Sequence, residues 1–205
     1  EPASQTAQFV RAIRSTMLLA SKTIGDQPFD WLAGGMPVQG LAIGGHLHFS
    51  GVPLDSLLLK VLDNYLALPI VMIETENDKK RRPKFGYVGD FRLKDYGGFE
   101  YRTLPSWLVS PQIAKAVHAL ARYLVLHRDR HRLRPLARLD LLKAFYAGDK
   151  RRLLPAVKKC WEELVQTEAF ASYRPDVEPL IEQSLAMKPW EGDKDFRNRW
   201  MTRNQ

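Results

Sequence analysis

Gly44-Gly45-His46-Leu47-His48-Phe49-Ser50-Gly51 is one of two segments with strand character and chemistry together; the other is Phe85-Gly86-Tyr87-Val88-Gly89-Asp90-Phe91-Arg92, running on to Gly98-Phe99-Glu100-Tyr101-Arg102. Each reads as a short strand with charged or metal-capable side chains on one face and apolar ones on the other. Residues two apart on a strand share a face, so His46, His48 and Ser50 line up, and Glu100 lines up with Arg102. Glycines at 44, 45 and 51 admit a ligand or another backbone at close range. A Glu and an Arg facing inward together are costly to bury without partners. They are either a salt-bridged pair, or a carboxylate for a hard cation beside an arginine for a phosphate or carboxylate. His-x-His alone is weak evidence, and a structural or surface reading stands beside the ligand one.

Outward from these strands the pattern turns helical. Phe9, Ile13 and Met17 predict an amphipathic helix over residues 7–23. Residues 25–39 read as loop and 42–49 as the first strand. Pro53-Leu54-Asp55 opens a helix through about Leu66, and Pro69 to Ile73 is the end of a second helix or a buried strand. Residues 74–84 read as a polar loop, with Lys79 to Arg82 a solvated charge run. Residues 86–98 read as an ordered loop pinned by aromatics, in which Arg92 sits among Gly89, Asp90, Phe91 and Tyr96. Residues 99–104 read as a strand. Ser110-Pro111 is a serine cap followed by proline in the first helical position, starting a helix to about His127. Helices are expected over 136–146 and 150–166, with Asp176 capping a third, before a polar, loosely ordered tail from Pro189. The predicted class is α+β. Residues 1–108 hold the sheet and its helices, and residues 109–205 form a helical region.

The chain has 205 residues, enough for a sizeable core, with an ordinary 45% hydrophobic and 26% charged composition. No apolar run approaches the roughly 20 residues that span a bilayer, nothing resembles a signal peptide, and a cytoplasmic setting is expected. The chain opens at Glu1-Pro2 rather than Met, so an upstream part is expected. One cysteine, Cys160, excludes an internal disulfide and a multi-cysteine zinc site. The net charge of +8 is consistent with nucleic acid, an anionic surface or phosphorylated small molecules. The basic stretch His127 to Arg134 reads as a solvated helix terminus or subunit contact; it lacks the interleaved aromatics of a base-stacking surface. Phosphate-loop, dinucleotide and nucleophile-elbow motifs are all absent, so serine or cysteine nucleophile chemistry is unsupported.

The order of elements is what is distinctive: the Gly-Gly-His-x-His-x-Ser-Gly strand, Leu-Asp-Asn-Tyr-Leu-Ala-Leu-Pro at residues 62–69, Arg81-Arg82, the Gly-Asp-Phe-Arg loop, then Tyr-Gly-Gly-Phe-Glu-Tyr-Arg-Thr-Leu-Pro-Ser-Trp. Over residues 1–125 it resembles the carboxylate–amine ligases of the glutamine synthetase superfamily. It is most similar to the phage-type COOH–NH2 ligases (type 2), and more distantly to glutamate–cysteine ligase. The resemblance implies a curved antiparallel sheet forming a trough, with helices outside. It also implies an ATP-dependent reaction with Mg2+ or Mn2+, in which a carboxylate is phosphorylated and an amine attacks the acyl phosphate. By position it makes His46 and Glu100 metal ligands and sets His48 on ATP phosphate, with Ser50 near the nucleotide. Arg92 would hold phosphate, Arg102 the substrate carboxylate or transferring phosphoryl, and Arg82 is a weaker phosphate candidate. Partners would be small-molecule or peptide carboxylates and amines, with no membrane, nucleic acid disfavoured and a homo-oligomer open. The family's acidic strands would precede Glu1-Pro2. A non-catalytic basic interaction or nucleic-acid-binding module is the alternative. A metal hydrolase is disfavoured because no third histidine lies nearby.

Overall fold

The computed structural model describes residues 5–25, 28–82, 84–95 and 97–201. Glu1-Pro2, Tyr96 and the last four residues, on which some of the sequence expectations fall, lie outside the described residues. The fold is α+β, 56% helical, with one small open sheet of three antiparallel strands. A larger curved trough is not seen among the described residues.

Helix α1 (Thr6–Ile24) is amphipathic as its spacing predicts and buries Met17. Helix α2 (Ser56–Leu62) starts where Asp55 accepts a hydrogen bond from Leu58 N at 2.7 Å, satisfying one of the first-turn amides. It passes through a π turn (Asp63–Ala67) into α3 (Leu68–Ile73), so Pro69 to Ile73 is helix and not strand. Pro69 has no N–H to donate back along the helix, and the wider turn comes just before it. Ser56–Ile73 therefore forms one continuous rod of 18 residues with mean hydropathy 1.6. By length and composition it could cross a membrane, against the sequence expectation. Its burial, 78% inside the protein, is that of a core helix.

Around this rod pack α4 (Pro111–His127), α5 (Leu139–Ala147), α6 (Lys150–Val165), α7 (Arg174–Leu185) and the short α8 (Arg197–Met201). Ser110 caps α4 as predicted, its Oγ accepting from Ile113 N at 3.2 Å. Alanines 114, 116, 119 and 121 of α4 are buried and let its neighbours approach closely. Helix α7 begins two residues before Asp176, which lies in its first turn and is not its cap. Residues 189–201, expected to be loose, are held by their aromatics. Trp190 Nε1 donates to Asp78 Oδ2 at 2.8 Å, Trp200 Nε1 donates to the Leu108 carbonyl at 2.7 Å, and both rings are buried.

The sheet order is β1-β3-β2, from β1 (Leu47–Phe49), β2 (Phe91–Leu93) and β3 (Phe99–Tyr101). The register pairs His48 and Arg92 with Glu100 on its two sides. The predicted strand over 42–49 contracts to three residues because its glycines leave the ladder. Gly44 bridges Pro105, which has no amide to return, and the Gly45 carbonyl accepts from Trp107 Nε1 at 2.9 Å. A Cβ on Gly45 would collide with the Pro105 carbonyl and the Trp107 indole. The aromatic loop at 86–98 contains a strand, β2, on the sheet's open edge. One sheet face is apolar, with Phe49 and Phe99 stacked at 5.1 Å, and it packs toward the π turn through Tyr101. The other face carries the charges.

Candidate active site

Strand β3 is the middle strand, so Glu100 has a neighbour on each side and its carboxylate lies under both edges of the sheet. Arg92 donates through Nε to Glu100 Oε2 at 2.9 Å, and its Nη2 lies 2.7 Å from the same oxygen. Lys94 Nζ reaches Oε1 at 2.6 Å, His48 Nε2 stands 3.4 Å from Oε1, and His46 Nδ1 lies 3.8 Å from Oε2. Four basic side chains from two flanking segments thus converge on one buried carboxylate, itself 2% exposed. Burial alone would raise the pKa of Glu100; hydrogen bonds from Lys94 and Arg92 outweigh it and hold the pKa below the usual range. Glu100 is therefore ionised at neutral pH. Burial lowers the pKa of His46; the Glu100 charge opposes this, and Arg102, Arg81 and Arg92 reinforce it. His46 is neutral at pH 7, with a lone pair to offer.

The base of the site is held from below. The Arg81 guanidinium donates to the carbonyls of Thr103 at 3.0 Å and Arg102 at 2.9 Å. Gly86 has φ +73°, and a Cβ there would strike that guanidinium, so the turn leading to Arg92 requires glycine. Asp90 accepts from Gly86 N at 3.3 Å and lies 3.7 Å from Arg102 Nη1. On the apolar face Asp63, at the start of the π turn, accepts from Tyr101 Oη at 2.7 Å and Gly89 N at 3.0 Å. Burial pushes its pKa up to about 6, against those hydrogen bonds. The central helix therefore grips both ends of the loop that carries Arg92.

Of the residues expected at the site, His46, His48, Arg92 and Glu100 come together. Arg102 stands beside them, part exposed, with a buried Nε that lacks a hydrogen-bond partner. Ser50 lies one residue beyond β1 and is exposed. Arg82 lies elsewhere. It forms a buried ion pair with Glu74 and sits over the Phe145 ring at 5.3 Å. The charge run is thus half inward: Arg81 and Arg82 are buried, Lys80 is exposed. Lys94, Arg81, Asp63 and Asp90 belong to the site and were not selected from sequence. Lys94 shares the two-residue period of Arg92, and Asp63 is a lone acid in an apolar helix, so both carried a legible signal.

Among the described residues no three His, Cys, Asp or Glu side chains are grouped to hold a metal ion. Lys94 and Arg92 engage the two oxygens of Glu100. Magnesium and manganese prefer several oxygen ligands. His46 and Glu100, as they stand, do not fit a resident ion of this kind.

The small sheet thus gathers arginine, lysine and histidine around one carboxylate, with a guanidinium nitrogen of Arg102 that lacks a hydrogen-bond partner at its margin. The chain belongs to the phage phiEco32-like COOH.NH2 ligase-type 2 family, whose model matches residues 1–202. Membership supports a ligase role, that of an enzyme forming C–N bonds from small-molecule or peptide substrates. No curated protein and no solved structure matches the chain.

Proposed function

We propose that the protein is an ATP-dependent carboxylate–amine ligase and that the charged face of the sheet around Glu100 is its active site. The observation that carries this is the convergence of Arg92, Lys94, His46 and His48 on Glu100, with Arg102 adjacent, in a member of a COOH–NH2 ligase family. A carboxylate oxygen attacks the γ-phosphorus of ATP, the bond to the bridging oxygen breaks, and ADP leaves. The amine nitrogen then attacks the acyl carbon, the bond from that carbon to the phosphate oxygen breaks, and amide and phosphate are released with one proton. Both steps crowd negative charge, which positioned guanidinium and ammonium groups stabilise.

In this reading Arg92 and Arg102 hold the transferring phosphoryl and the substrate carboxylate, and His48 and Ser50 face the nucleotide. Neutral His46 takes the amine proton. Glu100 holds the cations in place while they are empty of ligand. Arg82 acts at a distance, as a structural pair with Glu74. ATP enters as its magnesium complex, and the reaction takes place in the cytoplasm of a bacterial or phage-infected host. The three strands would form part of a larger catalytic trough.

The test is turnover with a panel of carboxylates and amines, one carboxylate labelled with heavy oxygen. Label in the released phosphate, lost in Arg92→Ala, is the expected result. Phosphate release in which the label stays out of the phosphate would rule out the acyl-phosphate route.

A further inference from the structure

The positive charge of this protein is not spread over it. Residues 128–159 carry eleven Lys and Arg against three Asp, a net of +8, while the remainder of the chain carries twenty of each sign. The whole chain's formal charge is also +8, so one segment accounts for all of it. Part of that segment is structural. Arg128 pairs with Asp55, and the amides of Arg132, Leu133 and Leu136 donate to Glu163, Tyr65 and Asn64 around the π turn. His131 is buried against Tyr123 Oη. Arg130, Arg132, Arg138, Lys143, Arg151, Arg152, Lys158 and Lys159 are exposed.

Five cations of the segment border two adjoining clefts, of about 710 and 410 Å3, between α5, α6 and the chain leading into α5. Arg138, Asp140 and Arg152 line both clefts. Lys143 borders the larger, while Arg134 and Lys159 border the smaller. The smaller cleft has an apolar floor that includes Leu133, Leu141, Pro155 and Ala156. The two shared guanidiniums already converge on one carboxylate. Arg138 donates to both oxygens of Asp140, at 3.2 and 2.9 Å, and Arg152 Nη2 lies 3.6 Å from Oδ2. The geometry at the rim is thus that of carboxylate recognition, with cations left over. The cleft shares no residue with the Glu100 cluster.

We infer that this cleft docks an acidic polypeptide segment whose apolar side chains fill the floor and whose carboxylates meet Arg138, Arg152 and Lys159. Charge complementarity selects a polyanion, and the floor selects among polyanions. A nucleic-acid duplex presents phosphates on a rigid convex surface and has nothing to place on leucine and proline. A single strand would need rings to stack on, and the rings of His131, Phe145 and Tyr146 are all engaged inside the fold. Phe145 is buried, and the Tyr146 hydroxyl accepts from Val88 N at 3.2 Å. An extended peptide with alternating acidic and apolar residues satisfies both rim and floor.

The test is fluorescence anisotropy with a labelled peptide of alternating Glu and Leu, an alternating Glu and Ser peptide, and a DNA duplex. Proteins are the wild type, Arg138→Glu/Arg152→Glu, and a control double reversal elsewhere, Arg11→Glu/Lys22→Glu, with circular dichroism confirming that each is folded. The Glu–Leu peptide is expected to bind best and to lose at least about tenfold in affinity, some 1.4 kcal/mol, only in Arg138→Glu/Arg152→Glu. Tighter binding of the duplex, equal binding of the two peptides, equal loss in both variants, or no peptide binding would each overturn the inference.

Discussion

Glu74 and Glu100 are buried to nearly the same degree, 3% and 2% exposed, and both face arginine. They differ in what surrounds the partner. The side chain of Arg82, which pairs with Glu74, is 3% exposed and lies over Phe145, so that pair is closed on all sides. Around Glu100 the side chains of Arg92 and His48 are 53% and 51% exposed. The first arrangement is a lock inside the fold. The second keeps its carboxylate dry and its cations at the surface, where an incoming anion can reach them. Burial of the acid is the same in the two pairs, and exposure of the arginine partner is what differs.

The two carboxylates should differ most on removal of a base. Arg82→Ala strands a buried carboxylate and is expected to cost about 3–5 kcal/mol in urea unfolding. A loss under about 1 kcal/mol would mean that Glu74 is relieved by protonation or by water. Next is Asp63, whose folded pKa of about 6 lies above its unfolded value. Its contribution is fully present below the unfolded pKa and is lost as pH rises through 6. Relative to Asp63→Asn, the wild type should therefore lose about 3 kcal/mol of stability between pH 3 and pH 7. Equal pH dependence in the two proteins would contradict the raised pKa.

Smaller effects sharpen the contrast. Ser110→Ala removes the cap of α4 and should cost about 1 kcal/mol. Glu100→Gln should cost less than about 1 kcal/mol, since its released cations face water. The same substitution should nonetheless change anion affinity. A stability loss as large as that of Arg82→Ala would make Glu100 a second lock.

The helices were legible from the spacing of apolar residues and from Ser110-Pro111, because those signals are local. Pro69 to Ile73 was ambiguous because a short apolar run fits strand or helix, and only its continuity through the π turn decides. The strands at 42–49 and 99–104 were found in place but read too long, since the bridge to Pro105 and the Trp107 bond to Gly45 come from residues sixty positions away. Period-two alternation sets His46 with His48 and Glu100 with Arg102, but Arg92 reads as a loop residue, and only the family resemblance puts the four at one site, because pairing between distant strands leaves no local signal. Arg82 was misplaced beside them: adjacent arginines look alike in sequence, and only packing sends Arg81 to the sheet and Arg82 to Glu74.

The Glu100 face is proposed as an open anion site. Its most direct test is calorimetric titration of magnesium ATP into the wild type, Arg92→Ala and Lys80→Ala, the last removing an exposed cation outside the cluster. Binding that Arg92→Ala weakens at least about tenfold, some 1.4 kcal/mol, and that Lys80→Ala leaves intact is the predicted result. Binding unchanged in Arg92→Ala would place the nucleotide elsewhere and contradict the account.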